Sequence, residues 1–166
     1  MINRNNINFN KIRYIELLKK EEIFKNQKIN FYKENPEEYE ELSSYKIILE
    51  NQIYYNQKDQ YISLIKKYLK ENAGEKTFVW DFFDIFRKNN EDVKILEKDI
   101  LEQGIKILTN FRIDSKSTGF SDFITQIITL CESVTFSSEE PSRITSDQFR
   151  DSIENIFFKI QKYLDE

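Results

Sequence analysis

We expect an all-α protein from this sequence: an antiparallel bundle of six or seven helices with an N-terminal helical extension. Only 3 glycines and 2 prolines interrupt the 166 residues, which disfavours a turn-rich β architecture. Apolar residues recur at three- and four-residue spacing along most of the chain, which is the period of one helix face. The 14 phenylalanines and 9 tyrosines supply large side chains for a core between packed helices.

The first two helices are predicted from apolar stripes and one helix start signal. Residues 8–34 carry a stripe that predicts a first helix with its buried face at Ile12, Ile15, Leu18, Ile23 and Phe24. A second helix is expected to begin at Pro36, since Asn35 can cap it and Glu37 and Glu38 complement the helix dipole. Its buried face follows as Tyr39, Leu42, Tyr45, Leu49 and Ile53.

The central part of the chain predicts three further helices. Ile62, Ile65 and Leu69 mark one that ends near Gly74, where glycine favours a left-handed stop. Thr77 is expected to cap a short core helix that is apolar almost all round, with Phe78, Val79, Trp80, Phe82, Phe83, Ile85 and Phe86. Residues 92–113 predict the third helix, which ends at a polar run from residue 114 to 119.

The last two helices are predicted over residues 120–134 and from Thr145 onward. Thr145 and Gln148 have the spacing of a capping box, in which each side chain bonds the other residue's backbone N–H. The closing helix then has one apolar face, formed by Phe149, Ile153, Ile156, Phe157, Ile160 and Leu164.

The familiar catalytic and metal-site chemistries find no support in the sequence. The chain has no histidine, which removes the usual general base of nucleophilic enzymes and most zinc sites, and it has no glycine-rich phosphate loop. Asp81 and Asp84 share one helix face but are ordinary partners of a helix dipole. Cys131 lies in an apolar row, so we expect a buried, inert thiol with a raised pKa. We therefore expect no enzymatic activity and no cofactor.

Compartment and charge are the remaining compositional indications. One cysteine cannot form an internal disulfide, and the sequence contains neither an apolar run long enough to span a membrane nor a secretory signal at its start. We expect a protein of the cytoplasm, or of an organelle stroma if it is organelle-encoded. The net charge is −4, and the last 36 residues hold 8 acids against 4 bases.

An acidic, lysine- and arginine-free stretch is the main candidate for binding. Residues 117–142 contain no Lys or Arg but include Asp122, Glu132, Glu139 and Glu140. Residues 135–144 are expected to form an exposed loop before the last helix, where carboxylates would suit a basic partner. The alternative interpretation is that Glu139 and Glu140 only solubilise the loop and favour the helix start.

Residues 61–164 resemble the colicin D-type immunity proteins, which belong to the bacterial self-protective colicin-like immunity family. The resemblance lies in four segments: the helix at 62–69 (ISLIKKYL), the aromatic helix at 82–86 (FFDIF), residues 128–134 (ITLCESV), and an acidic loop leading into 144–150 (ITSDQFR) and a closing helix. It implies two domains, an N-terminal helical extension over residues 1–58 and an immunity-like helical domain over residues 59–166.

The resemblance also implies a function and a set of site residues. Members of the family are small antiparallel helical proteins that bind a tRNA-cleaving toxin domain and fill its basic active site with carboxylates. This implies a protein partner, a basic toxin nuclease, rather than a small-molecule substrate. The partner-binding residues would be Glu132, Glu139, Glu140 and Asp147.

Two other functions compete with this hypothesis. The chain could be a structural or assembly subunit of a larger complex, with its N-terminal helices as a docking arm. It could also bind RNA through a basic N-terminal set, formed by Arg4, Lys11, Arg13, Tyr14, Lys19 and Lys20. Nucleic acid is the less favoured partner because acids are interspersed soon after this set and no RNA-binding motif is visible.

Overall fold

The computed structural model describes residues 9–71, 74–134 and 144–166. All regular secondary structure in these residues is helical, and none of them lies in a strand. The all-α prediction is therefore confirmed for the described chain. The helices are α1 (Lys11–Asn26), α2 (Phe31–Glu34), α3 (Pro36–Asn56), α4 (Lys58–Glu71), α5 (Glu75–Gln103), α6 (Ile105–Leu108), α7 (Ser117–Glu132) and α8 (Ser146–Asp165).

Local start signals in the sequence place two of the predicted helices correctly. Helix α3 begins at Pro36, as expected. Helix α8 begins with the predicted capping box: the Thr145 backbone N–H donates to Gln148 Oε1 at 2.9 Å, and the Gln148 backbone N–H donates to Thr145 Oγ1 at 3.2 Å. Both bonds satisfy N–H groups that the helix itself leaves unpaired.

The single helix predicted over residues 8–34 is wrong, because α1 ends at Asn26 and α2 follows. Lys28 has a φ of +56°, and the N–H of Ile29 donates to the carbonyl of Phe24 at 2.9 Å. This left-handed residue with its long backward bond is a Schellman motif, which stops a helix. Ile15 and Leu18 are buried as expected, but Ile12 and Ile23 are exposed, and Tyr14 and Leu17 join the core instead.

The prediction of separate helices after Thr77 and after residue 92 is also wrong. Helix α5 starts at Glu75, so Thr77 lies in its first turn, and it runs without a break to Gln103. The residues left between the two predicted helices include Asn89, whose side chain is buried and donates to the Tyr61 hydroxyl at 2.7 Å. The helix stops before Gly104, whose φ of +65° is accessible to glycine without strain.

The chain forms two compact units that alternate along the sequence. Unit 1 comprises residues 1–53 and 90–114, and unit 2 comprises residues 54–89 and 115–166. This division differs from the predicted boundary after residue 58, because residues 90–114 pack with the N-terminal helices. The second half of the continuous helix α5 belongs to unit 1 and its first half to unit 2.

Unit 1 has its own apolar core between α1, α3 and the second half of α5. The Tyr14 hydroxyl lies inside it and donates to Glu97 at 3.2 Å, so that this buried polar group is satisfied. The buried members of the core are Tyr14, Ile15, Leu17, Leu18, Phe31, Leu42, Tyr45, Leu49, Ile53, Ile100 and Leu108.

Unit 2 has a strongly aromatic core between α4, the first half of α5, α7 and α8. The Tyr68 and Phe78 rings stack with centroids 4.5 Å apart, and Phe149 meets each of them edge-on at 5.9 Å. The buried members are Tyr61, Ile65, Tyr68, Phe78, Val79, Phe82, Phe120, Ile124, Ile127, Cys131, Val134, Phe149, Ile153, Ile156 and Ile160. Trp80, expected in this core, is exposed.

Close packing between α7 and α8 depends on one glycine. A Cβ atom at Gly119 would lie 2.5 Å from the Tyr163 hydroxyl oxygen and 2.6 Å from the adjacent ring carbon, Cζ. Only glycine leaves room for the ring at this position. No helix within the described residues is long and apolar enough to cross a membrane.

Candidate interaction surfaces

Contacts at both ends of the α7–α8 pair show where the predicted acidic residues lie. At the start of α7, the Lys116 ammonium donates to the Leu164 carbonyl at 2.6 Å, and the Tyr163 hydroxyl donates to the Lys116 carbonyl at 3.3 Å. The start of α7 therefore lies beside the end of α8. The opposite end of the pair carries the end of α7 and the start of α8.

Tyr68 connects the other two ends of this pair. Its ring meets Phe149, in the first turn of α8, and it belongs to the same buried cluster as Cys131, near the end of α7. The end of α7 and the start of α8 are therefore neighbours. Glu132 and Asp147, one residue after Cys131 and two before Phe149, lie at this same end of unit 2, and both are exposed. We call this region the acidic end.

The other two predicted partner-binding residues, Glu139 and Glu140, lie outside the described residues. They belong to the segment that joins α7 to α8, so the chain connects them to the acidic end on both sides. The predicted exposed loop that would hold them likewise falls outside the described residues.

Arg150, three residues after Asp147 in α8, binds the end of α4. The Arg150 guanidinium donates to the backbone carbonyls of Tyr68 and Leu69 in the last turn of α4, and it stands over the Tyr68 ring at 5.4 Å. A cation at the C-terminal end of a helix is stabilised by the helix dipole and by the unpaired carbonyls there. Arg150 thus caps α4, and among the described residues it forms no ion pair with Glu132 or Asp147.

Two further carboxylates extend the acidic surface along α8, and the sequence analysis did not single them out. Asp151 and Glu154 are exposed and follow Asp147 at four and seven residues, which places all three on one helix face. The ion pairs among the described residues do not involve them, nor Asp122, Glu132 or Asp147. The repeat of acids at helical spacing was the signal that could have identified them.

Cys131 has the environment that its sequence position predicted. The thiol is buried, and burial together with the nearby Glu132 carboxylate raises its pKa from 9.0 to about 12. A thiol with such a pKa holds its proton at neutral pH and is a poor nucleophile. This part of the prediction is confirmed.

One carboxylate of the aspartate pair in α5 is engaged by a cation. Asp84 forms an ion pair with Arg87, one turn further along the helix, and its side chain is largely exposed. Across the described residues, no group of three or more acidic, cysteine or histidine side chains is placed to hold a metal ion.

Most of the basic N-terminal set is engaged inside unit 1. The Arg13 guanidinium donates to Glu41 at 2.9 Å and to Glu38 at 3.3 Å, and these carboxylates hold its pKa above the usual value. Lys20 also pairs with Glu38, whose pKa is lowered mainly by that contact. Lys11 donates to the Leu108 carbonyl at 2.6 Å and so caps α6.

Two more members of the set also bear on RNA binding. Tyr14 is fully buried and cannot stack on a base, whereas Arg4 lies outside the described residues. Groups whose charge is already paired with carboxylates attract phosphates weakly. The arrangement therefore disfavours RNA binding through this set.

Unit 1 also contains an open groove of about 1010 Å³, which was not predicted from the sequence. Helices α1, α2 and α5 and the start of α3 contribute to its walls. Its apolar part includes the exposed rings of Tyr32 and Tyr39, whose centroids are 5.3 Å apart. Lys94 and Lys98 stand on its α5 side, one turn apart.

Comparison with known proteins adds no further constraint on the site. No family model matches the chain, and neither a curated protein nor a solved structure matches it.

Proposed function

We propose that the chain is a non-enzymatic binding protein that docks its acidic end onto a basic protein surface. In this proposal the partner is a tRNA-cleaving toxin nuclease, and the antiparallel helical bundle acts as a colicin-like immunity protein in the cytoplasm. The observation that supports it most is the meeting of Glu132 and Asp147 at one end of unit 2. Both carboxylates are exposed there, and Arg150, in the same part of α8, binds the end of α4 instead of pairing with them.

The physical basis is charge complementarity. A nuclease that cleaves tRNA must present basic side chains to the RNA phosphates. Carboxylates at the ends of two helices can bind the same basic side chains. Because exposed charges act at a distance, such a surface speeds association and selects partners by sign. Glu139 and Glu140, on the segment between the two helices, would add to the same field.

Charge reversal at the acidic end tests this proposal. The probe is the purified tRNA-cleaving domain of a colicin D-type toxin, and binding is measured by surface plasmon resonance at two salt concentrations. We expect Glu132→Lys with Asp147→Lys to weaken binding about a hundredfold at low salt and less at high salt, since reversed charges repel a basic site and salt screens them.

The matched control is Asp59→Lys with Asp165→Lys. These exposed acids stand at the start of α4 and the end of α8, away from the acidic end, and give the same change in net charge. The control should bind like the wild type. No binding by the wild-type chain, or equal loss in both variants, would refute the proposal.

A second candidate function is a structural or assembly subunit that docks through unit 1, in the cytoplasm or in an organelle stroma. The specific observation in its favour is that α1 exposes two large apolar side chains, Ile12 at 65% and Ile23 at 54%. Deleting residues 1–58 would also remove the helices against which residues 90–114 pack. A change of surface residues is therefore the more specific test. Ile12→Ser with Ile23→Ser should abolish co-purification with the host complex without loss of helicity; retained association would count against this function.

A further inference from the structure

An exposed aromatic side chain on α8 is not explained by the acidic end. Phe158 is 67% exposed, whereas the neighbouring Phe157 packs against the core of unit 2. Asp151 and Glu154 precede Phe158 by seven and four residues and therefore lie on the same helix face. We call these three residues the α8 face: two carboxylates followed by an apolar ring.

The groove of unit 1 offers the complementary chemistry. Tyr32 is 53% exposed and Tyr39 37% exposed, and both line the groove together with Ile29. Exposed aromatic and aliphatic groups grouped in a concave surface are typical of a site that takes an apolar side chain. The groove therefore offers an apolar surface against which one further ring could pack, beside Tyr32 and Tyr39.

The carboxylates that line the groove are already paired with lysines. Lys46 lies 2.7 Å from Glu21 and 3.8 Å from Glu97, and Glu97 also accepts the Tyr14 hydroxyl. Glu22, at the groove edge, lies 3.6 Å from Lys25. These pairs cancel most of the negative charge of the groove.

Two further lysines, both on α5, give the groove a net positive charge. Lys94 has no carboxylate at ion-pair distance within the described part of the chain, and Lys98 has only Glu102, at 3.9 Å. That pair is largely exposed and therefore weak. Lys94 and Lys98 are one helical turn apart, close to the separation of Asp151 and Glu154 on the α8 face.

We propose that the groove of one copy of this chain binds the α8 face of a second copy. Phe158 inserts beside Tyr32 and Tyr39, while Asp151 and Glu154 pair with Lys94 and Lys98. The contact removes an exposed ring and an exposed aromatic surface from water and places opposite charges around them, which is the usual arrangement of an apolar centre and a polar rim. The groove and the α8 face are different surfaces, so the contact is heterologous.

Molar mass measured against concentration is the first test, by sedimentation equilibrium of the full chain. The wild type should rise above its monomer mass of 20.1 kDa as concentration increases. Phe158→Ser, and separately Lys94→Glu with Lys98→Glu, should each weaken self-association about tenfold or more, as expected for a central anchor and its rim charges. Circular dichroism should show unchanged helicity, since all three side chains are exposed.

A charge-swap experiment makes the test specific to this contact. Lys94→Glu with Lys98→Glu impairs the groove alone, and Asp151→Lys with Glu154→Lys impairs the α8 face alone. Mixed together, the two variants should associate, because the reversed charges on the groove meet reversed charges on the α8 face. One chain that carries all four changes should likewise regain self-association.

The matched control is Lys66→Glu with Lys70→Glu, two exposed lysines one turn apart on α4, which should leave self-association unchanged. A wild type that stays monomeric at all concentrations overturns the proposal. So does self-association that survives both Phe158→Ser and the charge reversals, since it would then use another surface.

Discussion

A buried hydrogen bond between α4 and α5 allows one stability prediction to be worked out in detail. Tyr61 is fully buried, Asn89 is 2% exposed, and the Asn89 amide donates to the Tyr61 hydroxyl at 2.7 Å. Tyr61→Phe keeps the ring and its packing against Phe82 at 5.2 Å but removes the acceptor. The Asn89 amide would then be buried without a partner.

The expected cost follows from that geometry. A buried donor left without an acceptor lowers the free energy of unfolding by about 1–3 kcal/mol, which is a large part of the roughly 5–15 kcal/mol typical of a domain. Asn89→Leu, of similar size, should also destabilise, because it leaves the hydroxyl unpaired. The loss of unfolding free energy in the double variant should be smaller than the sum of the two single losses, by about 1 kcal/mol or more. The reason is that no buried polar group is then left without a partner.

Urea unfolding measures this prediction. Trp80 is the only tryptophan and lies in unit 2 with Tyr61, so its fluorescence follows unit 2 while far-UV circular dichroism follows all helices. Tyr32→Phe, which removes an exposed hydroxyl, is the control and should change stability by less than about 0.5 kcal/mol. If Tyr61→Phe costs no more than this control, or the two single effects simply add, the reasoning is refuted.

Two further predictions concern the helix start of α8 and alkaline pH. Thr145→Ala removes the acceptor of the Gln148 N–H and should lower the free energy of unfolding by about 1 kcal/mol, measured by urea unfolding; an unchanged midpoint would contradict the role of the capping box. Burial raises the pKa of Tyr61 above the ordinary 10.0 and that of Cys131 from 9.0 to about 12. The unfolded chain loses these protons first, so stability should be intact below pH 9 and fall progressively above it; a flat thermal melting profile up to pH 11 would oppose this.

Locating the acidic end requires both the local sequence and contacts between residues that are far apart in the chain. Helical spacing and the capping box placed Asp147 in the first turn of an amphipathic helix, and the structure agrees. That Glu132 lies at the same end required the contacts of Tyr68 and Lys116, which join residues far apart in the chain. That Arg150 binds the end of α4 instead of pairing with these carboxylates is shown by its bonds to Tyr68 and Leu69, and the local sequence does not indicate it.

The helical class, the starts of α3 and α8 and the apolar face of α8 follow from neighbouring residues, because capping bonds and helical periodicity act over three or four positions. Pro36 and Thr145 are examples that hold as predicted. The continuity of α5 does not follow from them, since Asn89 looks like a break until Tyr61, 28 residues earlier, accepts its hydrogen bond. The two alternating units, the engagement of Arg13 by Glu41 and the exposure of Phe158 likewise depend on which helices meet. Such pairings are selected by packing between segments far apart in the chain. The residues next to each position therefore do not indicate which helices will come into contact.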